Sequence, residues 1–502
     1  MKQVNCATYE GLEAKVVQVE STLTKGLPSF SIVGMASTAI TEAKERVKSA
    51  LLSNEFSFPP KRITINLAPS DVAKNGSQFD LSMALMIVLD SLEKDLSEWF
   101  VFGELGLDGA IKENMQLYPL ILSLANQKII SKALVPYESL PKLSKIPNIE
   151  FYGVKTLQEA IDLLKNQENI APAQMQSSFE YPFYEIQEEK YFYIKEYHDD
   201  FIDVKGQELA KRGALIAAAG FHNILFEGSP GCGKSMIAKR LRYILPPMSA
   251  DEVLEVAKLD ALDFREPEFK PHRTFRSPHH SSTLASVFGG GSHKAQIGEV
   301  GLAHKGILFF DELPHFSKNI LEALREPMQD NKIRISRVNA KVEYPADFLF
   351  VGAMNPCPCG NLLDSNKECR CSELEIKKYK NRLSEPFLDR IDLNIVMQNV
   401  NAKDMPSYTS KELHKMVVEA HIFAKKRGQN NFNAKLGDAE IEKFCVLDEE
   451  AKNTLDIAIG RFALSFRSIK KIQKVSRTIA DLERCEVIAK KHLLEALSYR
   501  RR

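Results

Sequence analysis

The chain has 502 residues, of which 44% are hydrophobic and 26% are charged. A single hydrophobic core rarely grows beyond about 250–300 residues, so this length predicts several domains. The 67 Lys and Arg residues balance the 66 Asp and Glu residues, which excludes a uniformly basic coat protein but allows local basic loops. Its apolar stretches are shorter than a membrane span and the N-terminus lacks a signal-peptide pattern, so we expect a cytoplasmic protein without a membrane partner.

Residues 1–170 alternate short β-rich segments with helix-like segments, which predicts an α/β domain. The segment WFVFGELGLDGAI is typical of a β-hairpin. The segment STAITEAKERVKSALL predicts a helix with one apolar face, formed by Ala39, Ala43, Val47, Ala50 and Leu51. Residues 171–200 combine a polar, Ala- and Pro-containing stretch with aromatic and acidic residues of no clean period, which predicts a linker that partly packs against a neighbour.

The most specific motif is GSPGCGKS, which matches G-x-x-x-x-G-K-[ST] at every fixed position. An apolar strand, NILFE, precedes it and a helix, SMIAKRL, follows it, so a chance Gly-rich turn is a poor alternative. Its glycines let backbone N–H groups face phosphate oxygens, while Lys234 is expected to neutralise the β- and γ-phosphates and Ser235 to ligate Mg²⁺. We therefore predict an ATP- and Mg²⁺-binding P-loop, formed by Gly228, Ser229, Pro230, Gly231, Cys232, Gly233, Lys234 and Ser235.

Two further strand ends supply polar side chains in the order that such a site requires. Asp311 and Glu312 follow the apolar run ILFF, where Asp311 is expected to hold Mg²⁺ through water and Glu312 to polarise the attacking water. Acids at a strand end are also common turn residues, but the shared domain with a P-loop favours the catalytic interpretation. Asn355 ends the next strand, FLFVGAMNP, where its amide is placed to orient that water.

Two arginines later in the chain are candidates for contact with nucleotide. Arg390 lies in a turn before another strand and is a candidate arginine finger for the γ-phosphate of a neighbouring subunit. The alternative is a surface arginine paired with Asp389 or Asp392. Residues 403–502 show helical periodicity, which predicts a helical subdomain. Arg467, at a helix start in SFRSIKK, is a candidate second sensor that contacts nucleotide from this subdomain, and the alternative is a solvated helix residue.

Four cysteines form two C-x-C pairs separated by nine residues, namely Cys357, Cys359, Cys369 and Cys371. Four thiolates that close one loop supply the tetrahedral ligand set of a structural Zn²⁺ and leave no open position for catalysis. A disulfide pair or four free thiols are the alternatives. His279 and His280, in RSPHHSST, are expected to be structural or loop residues rather than ligands.

Two insertions interrupt the predicted ATPase core. TLASVFGGGSHKAQIGEVGLAHK is Gly-rich with Lys294 near its tip, and KIRISRVNAKVEYP is typical of a hairpin with Arg334, Arg337 and Lys341 around the turn. Basic hairpins in the pore of a ring would follow a phosphate backbone, so we predict contact with DNA. A pair of solvated surface hairpins is the alternative.

With these motifs the chain resembles the YifB/ComM family of magnesium-chelatase-like AAA+ ATPases over nearly its whole length. The resemblance rests on GSPGCGKS, FRSPHHSSTLASVFGGGS, GEVGLAHKGILFFDELPHF, AMNPCPCG followed by CRCS, and FLDRID. It implies an AAA+ P-loop α/β core over 201–402 and a C-terminal helical lid over 403–502. One departure is Glu385, where the family usually has Gly.

The resemblance also implies a homo-hexameric ring and an ATP-driven DNA motor. Such motors act on branched or single-stranded DNA and drive branch migration during natural transformation. The alternative is a chelatase-type motor that remodels a protein partner.

The N-terminal domain resembles the Lon protease domain, which has a ribosomal S5 domain 2-like α/β fold. The resemblance rests on NLAPSDVAKNGSQFDLSMAL and GELGLDGAIKENMQLYPL. It places Gln78 where the nucleophilic serine belongs and Tyr118 where the catalytic lysine belongs. Ser77 lies one residue away without an obvious general base. We therefore expect a protease fold without protease chemistry, which serves as an assembly or DNA-engaging collar.

Overall fold

A computed structural model gives the fold of the chain. It describes residues 2–35, 37–56, 58–91, 95–165, 172–173, 179–290, 296–336, 341–364, 367–400 and 404–500. The chain forms two compact units: Met1–Glu180, Ala257–Phe269 and Ser336–Val342 form the first, and Tyr181–Val256, Lys270–Ile335 and Glu343–Arg502 form the second. Within the described ranges, every helix is too short or too polar to cross a bilayer.

The first unit is built on a seven-stranded mixed sheet with the strand order β3-β4-β2-β1-β5-β8-β9. The seven strands of this sheet are β1 Gln3–Glu10, β2 Glu13–Thr24, β3 Ser29–Val33, β4 Arg62–Ala68, β5 Trp99–Val101, β8 Lys132–Pro136 and β9 Glu150–Val154. Two short strands, β6 Glu104–Leu105 and β7 Ile111–Lys112, lie outside it. Its helices are α1 Thr38–Ser53, α2 Asp80–Val88, α3 Leu117–Asn126, α4 Leu140–Leu143 and α5 Leu157–Lys165.

Helix α1 has the predicted apolar face, since Ala43, Val47, Ala50 and Leu51 are all buried, while the side chain of Ala39 lies outside the described part. The predicted hairpin is only partly right. Strand β5 pairs with β1 and β8 in the large sheet, and only the short strands β6 and β7 pair with each other. The physical reason is burial, because all three residues of β5 are apolar and buried, as a central strand requires.

The remaining elements lie from Phe183 onward. The strands are β10 Phe183–Ile186, β11 Glu189–Phe192, β12 Ile224–Gly228, β13 Met248–Ser249, β14 Phe275–Arg276, β15 Gly289–Gly290, β16 Gln296–Ile297, β17 Ile307–Phe310, β18 Lys332–Ser336, β19 Lys341–Pro345, β20 Leu349–Met354 and β21 Leu393–Met397. The helices are α6 Glu208–Gly220, α7 Lys234–Leu241, α8 Ala250–Leu262, α9 Leu284–Phe288, α10 Glu299–Leu302, α11 Lys318–Ala323, α12 Arg325–Asp330, α13 Glu373–Lys380, α14 Glu385–Leu388, α15 Ser410–Lys426, α16 Asp438–Phe444, α17 Glu449–Phe462, α18 Phe466–Leu482 and α19 Lys490–Ser498.

The second unit contains a five-stranded parallel sheet with the order β14-β17-β20-β12-β21. Its central strands are continuous apolar runs, and every residue of β17 and β20 is buried, which is typical of parallel strands covered on both faces. The C-terminal helices share one hydrophobic core with this sheet through Leu413, Val417 and Ile479. The C-terminal helices therefore belong to the same compact unit as the sheet.

Residues 181–200, predicted as the second half of a linker, belong to the second unit. Here β10 and β11 form an antiparallel hairpin that continues onto β13. The tyrosines of this segment pack on two histidines of α15: the Tyr197 hydroxyl lies 2.9 Å from His414 Nδ1, and Tyr184 is hydrogen-bonded to His421 Nδ1. Because these aromatic side chains pack on a helix, the segment shows no simple period in sequence.

These contacts make the second unit sensitive to acid. Burial lowers the pKa of His414 to about 4 and also lowers that of His421, so the folded chain keeps both rings neutral where the unfolded chain binds protons below pH 6.5. We expect the urea midpoint to fall as pH drops from 6.5 toward 4, and His414→Gln to flatten that slope. His198→Gln removes a largely exposed ring of the same segment and is the matched control. Equal slopes in wild type and His414→Gln would contradict the assignment.

Candidate functional site

Three polar strand ends meet at one edge of the parallel sheet. Strand β12 leads directly into the P-loop, β17 ends before Asp311 and β20 ends before Asn355. The register aligns these ends, because Glu227 pairs with Met354 and Phe310 pairs with Gly352. The carboxyl ends of adjacent parallel strands are the usual location of a ligand site in such a sheet.

The P-loop lysine is held among the residues that the sequence predicted. Lys234 Nζ donates to the backbone oxygens of Gly228 at 2.6 Å and Ser229 at 3.0 Å, and to Asn355 Oδ1 at 3.1 Å. The side chain is buried, and this burial lowers the pKa of the ammonium group. Gly233, with φ of +98°, begins helix α7 in a conformation that a larger residue would adopt only with strain. The ammonium group therefore lies against the backbone of an anion-binding loop.

The two residues predicted to hold magnesium are in direct contact. Ser235 Oγ donates to Asp311 Oδ2 at 2.7 Å, so one hydroxyl and one carboxylate lie side by side at the start of α7. Hydroxyl, carboxylate and water oxygens are the ligands that Mg²⁺ prefers next to nucleotide phosphates. These residues fit a magnesium ion.

Glu312 follows Asp311 in the chain. Its backbone is in the left-handed region, with φ of +50°, and its side chain is 58% exposed. His280 Nδ1 lies 3.9 Å from Glu312 Oε2. His280 was expected to be a structural or loop residue, and its proximity to Glu312 was not predicted because no local spacing connects residues 280 and 312.

The two candidate arginines lie together in the second unit. Arg390 Nη2 and Arg467 Nη2 both donate to Gln329 Oε1, at 2.7 and 2.9 Å. They line a cavity of about 630 Å³ whose other cationic residues are Lys435, Lys470, Lys471 and Lys474. Burial and the neighbouring Arg467 lower the pKa of Arg390. This cavity is suited to an anion.

Pairing with Asp389 or Asp392 was the alternative predicted for Arg390, but other groups hold its guanidinium group. Arg390 Nε donates to the backbone oxygen of Arg325 at 3.0 Å, whereas Asp389 accepts from Arg467 Nη1 at 3.2 Å. The other candidate acid, Asp392, accepts from the backbone N–H of Asn223 at 3.0 Å. Gln329 and Asn223 were not predicted, because only the tertiary fold brings them to Arg390.

Arg390 lies at the opposite edge of the sheet from the P-loop. It precedes β21, which runs parallel to β12 with Ile224 opposite Leu393 and Gly228 opposite Met397. The two ends of β12 are about 13 Å apart at about 3.3 Å per residue. Arg390 therefore lies near the amino ends of these strands, too far from their carboxyl ends to reach a phosphate bound at Lys234 of the same chain.

Glu385, the departure from the family pattern, is the first residue of α14. Ser384 caps this helix, since its Oγ accepts from the backbone N–H of Phe387 at 3.4 Å. A carboxylate in the first turn interacts favourably with the helix dipole. The glutamate is therefore compatible with a helical turn that leads to Arg390.

The four clustered thiols have the geometry of a metal ligand set. Cys357 Sγ lies 3.4 Å from Cys359 Sγ and 3.7 Å from Cys369 Sγ, and all four sulfurs, including that of Cys371, lie within 4.8 Å of one another. A tetrahedral ion with Zn–S bonds of about 2.3 Å holds its sulfurs about 3.8 Å apart, whereas a disulfide needs about 2.05 Å. The thiols are free of disulfides and fit a tetrahedral ion.

The two insertions form short strand pairs, β15 with β16 and β18 with β19. Lys294 and Arg337 lie outside the described residues, and the side chain of Lys341 is likewise not described. Arg334 Nε contacts Glu343 Oε2 at 2.9 Å, and the same carboxylate group pairs with Lys332 at 3.0 Å. Glu343 thus partly neutralises the positive charge of Lys332 and Arg334 at the base of the second hairpin.

The first unit does not bring together a serine–lysine pair at the Lon-like positions. The Gln78 amide donates to the backbone oxygens of Ala7 at 3.2 Å and Asn75 at 2.9 Å, and Tyr118 is buried with a raised pKa. Ser77 donates to the carboxylate of Glu104, a partner that sequence analysis did not find. A glutamine bound to backbone oxygens has no nucleophilic role.

Comparison with known proteins identifies the family of the chain. The family model for the magnesium chelatase subunit ChlI matches residues 200–405, and models for another part of ChlI and for its C-terminal part match 19–139 and 407–500. Competence protein ComM of Haemophilus influenzae is 38% identical and the YifB protein of Escherichia coli is 37% identical, each over 98% of this chain and 95% of its own length. A YifB protein of Salmonella typhimurium is also 37% identical over the same shares.

The parallel sheet, the P-loop and the acidic strand end define a magnesium-chelatase-like AAA+ ATPase. Within that class, the chain belongs to the YifB/ComM family, as full-length identity to both proteins shows.

The exposed Glu312 leads to a specific prediction. Glu312→Gln keeps the size of the side chain but removes the carboxylate that is predicted to polarise water, so we expect ATP turnover to fall by about 10²–10⁴-fold while nucleotide affinity is retained. Steady-state phosphate release and fluorescent-nucleotide binding measure the two effects. Glu449→Gln, at an 87% exposed position of α17, is the control. Turnover close to wild type in Glu312→Gln would show that another group activates the water.

Proposed function

We propose that the chain is the subunit of a homo-hexameric, ATP-driven motor that acts on branched or single-stranded DNA. The observation that carries the ATPase part is the convergence of Lys234, Asn355, Ser235 and Asp311 at one sheet edge. The relative named a competence protein, together with the family resemblance, supports the DNA part.

Each residue at the sheet edge has a defined task in hydrolysis. Lys234 neutralises the β- and γ-phosphates, and Ser235 and Asp311 would hold Mg²⁺, which would supply further positive charge to the phosphates. Glu312 orients the attacking water and accepts its proton, and Asn355 holds that water through its side-chain amide. The lysine contact to Asn355 keeps this amide next to the phosphate site before ATP binds.

The arginine cavity completes the site of a neighbouring subunit. Arg390 and Arg467 share Gln329 at the opposite edge of the sheet from Lys234, so a γ-phosphate that meets them belongs to another chain. Arginines at that position stabilise the negative charge of the transition state. This arrangement needs head-to-tail assembly, in which each chain gives its P-loop to one interface and its arginines to the other, and such an assembly closes into the proposed ring when its rotation allows.

The Cys357, Cys359, Cys369 and Cys371 cluster is proposed to hold a structural zinc ion. Its sulfur spacing matches a tetrahedral thiolate set, and four thiolates leave no position open for a reacting group. Zinc would therefore fix the loop that follows Asn355 rather than take part in hydrolysis.

A motor that remodels a protein partner is the second candidate. The shared pairing of Arg334 and Lys332 with Glu343 favours it, because this acid reduces the positive charge at the base of the hairpin. The DNA proposal then depends on the residues nearer the hairpin tip, Arg337 and Lys341.

Contact between the hairpin and DNA can be tested by its salt dependence. In Arg337→Ala with Lys341→Ala, we expect weaker binding to single-stranded DNA and a log–log salt slope that is smaller by about 1.4, because two phosphate contacts are lost. Fluorescence anisotropy at several salt concentrations measures both effects. Lys452→Ala with Lys490→Ala removes two exposed lid lysines and is the control. An unchanged slope in the hairpin variant would exclude these residues from the DNA contact.

Catalysis across an interface can be tested by complementation. Lys234→Ala and Arg390→Ala are each expected to be inactive, but a co-expressed equal mixture should hydrolyse ATP at about one quarter of its interfaces, where an intact P-loop faces an intact arginine. A mixture of Lys234→Ala with Glu312→Gln is the control and should stay inactive, because both changes damage the same half of the site. Failure of the first mixture to regain activity would place Arg390 in its own chain's site.

A further inference from the structure

We propose that the cysteine knuckle, defined as residues 357–364 and 367–371, positions the P-loop so that nucleotide affinity depends on the bound metal. This inference rests on the zinc site proposed above. It concerns a different property, namely the contact between the knuckle and Pro230 of the P-loop.

The knuckle lies against the P-loop at Gly360. The backbone N–H of Gly360 donates to Cys357 O at 3.0 Å, and Gly360 has φ of +81°. A Cβ atom at this position would lie 2.6 Å from Pro230 Cδ and 2.7 Å from Pro230 Cγ. The proline ring is closed onto the backbone and cannot rotate away, so any additional atom at 360 must displace the P-loop or the knuckle.

Both ends of the knuckle also lead to the nucleotide site. Asn355, two residues before Cys357, accepts from Lys234 at 3.1 Å. Helix α13 begins directly after the knuckle with a Ser372 capping box, and Lys380 at its end contacts Glu227 Oε1 at 2.8 Å. Glu227 immediately precedes the P-loop. Residues within or beside the knuckle therefore lie close to Glu227, Pro230 and Lys234 of the P-loop region.

A bound metal would constrain the path of the knuckle. Cys357 is buried, but Cys359 is exposed, and Leu362 and Leu363 are each 41% exposed. Because these exposed residues bury little apolar surface, an ion that joins the two C-x-C pairs would add order to the loop. Loss of the ion would release Gly360 from Pro230 and leave the P-loop less ordered for phosphate binding.

The experiment measures zinc content and nucleotide affinity separately on the full-length protein. Zinc is quantified by elemental analysis, and affinity for a fluorescent ADP is measured with Mg²⁺ in excess, before and after treatment with the zinc-selective chelator TPEN. We expect one zinc per chain and, after chelation, about tenfold weaker ADP binding, equivalent to about 1.4 kcal/mol, that zinc addition restores.

A glycine pair separates the steric contact from backbone strain. Gly360→Ala should retain zinc and bind ADP about tenfold more weakly, because its methyl group displaces Pro230. Gly428→Ala is the matched control, since Gly428 has φ of +78° and open space where a Cβ would lie. It should bind ADP as the wild type does.

The outcomes distinguish the two proposals. If the protein contains zinc but binds ADP equally well after chelation and in Gly360→Ala, the coupling is wrong while the zinc site stands. If the protein contains no zinc, the zinc site and the coupling are both wrong. Circular dichroism of each sample verifies the fold, and the chelation result decides the question if Gly360→Ala does not fold.

Discussion

The parallel direction of five strands is the constraint on which the proposed chemistry depends. Because β12, β17 and β20 all end at the same edge, the P-loop, Asp311 and Asn355 meet there without any long-range loop. The same direction places Arg390, which precedes β21, at the other edge. In the proposed motor, one chain would thus carry two separated halves of an ATPase centre, and an assembly of chains would bring a P-loop and an arginine together.

Several elements outside the sheet stabilise that edge. The knuckle contacts Pro230, helix α13 contacts Glu227, and Gln207 Nε2 donates to Cys232 O at 3.1 Å. A phosphate-binding loop must hold its backbone N–H groups in one arrangement. These three contacts therefore reduce the conformational entropy that the loop would lose when nucleotide binds. The first unit, by contrast, uses its buried Arg46–Asp80 ion pair and Gln78 amide for internal structure.

The sequence predicted those parts of the candidate site whose residues lie close together along the chain. The P-loop and the acids after β17 are each contiguous, so their spacing alone identifies them. Gln329 and His280 escaped prediction because only tertiary folding brings them to Arg390 and Glu312. Residues 171–200 were predicted to form a linker that partly packs against a neighbour, and the β10–β11 pair within it was not predicted because its tyrosines pack on α15, which leaves no alternating pattern in the sequence.

The central claim is that ATP hydrolysis drives movement on DNA, and steady-state hydrolysis by the purified chain tests it most directly. The rate is measured alone, with single-stranded DNA and with a four-way junction, and Glu312→Gln gives the background. The account predicts strong stimulation by DNA that the variant abolishes. Hydrolysis at the same rate with and without DNA would contradict the DNA motor and favour a motor that remodels a protein.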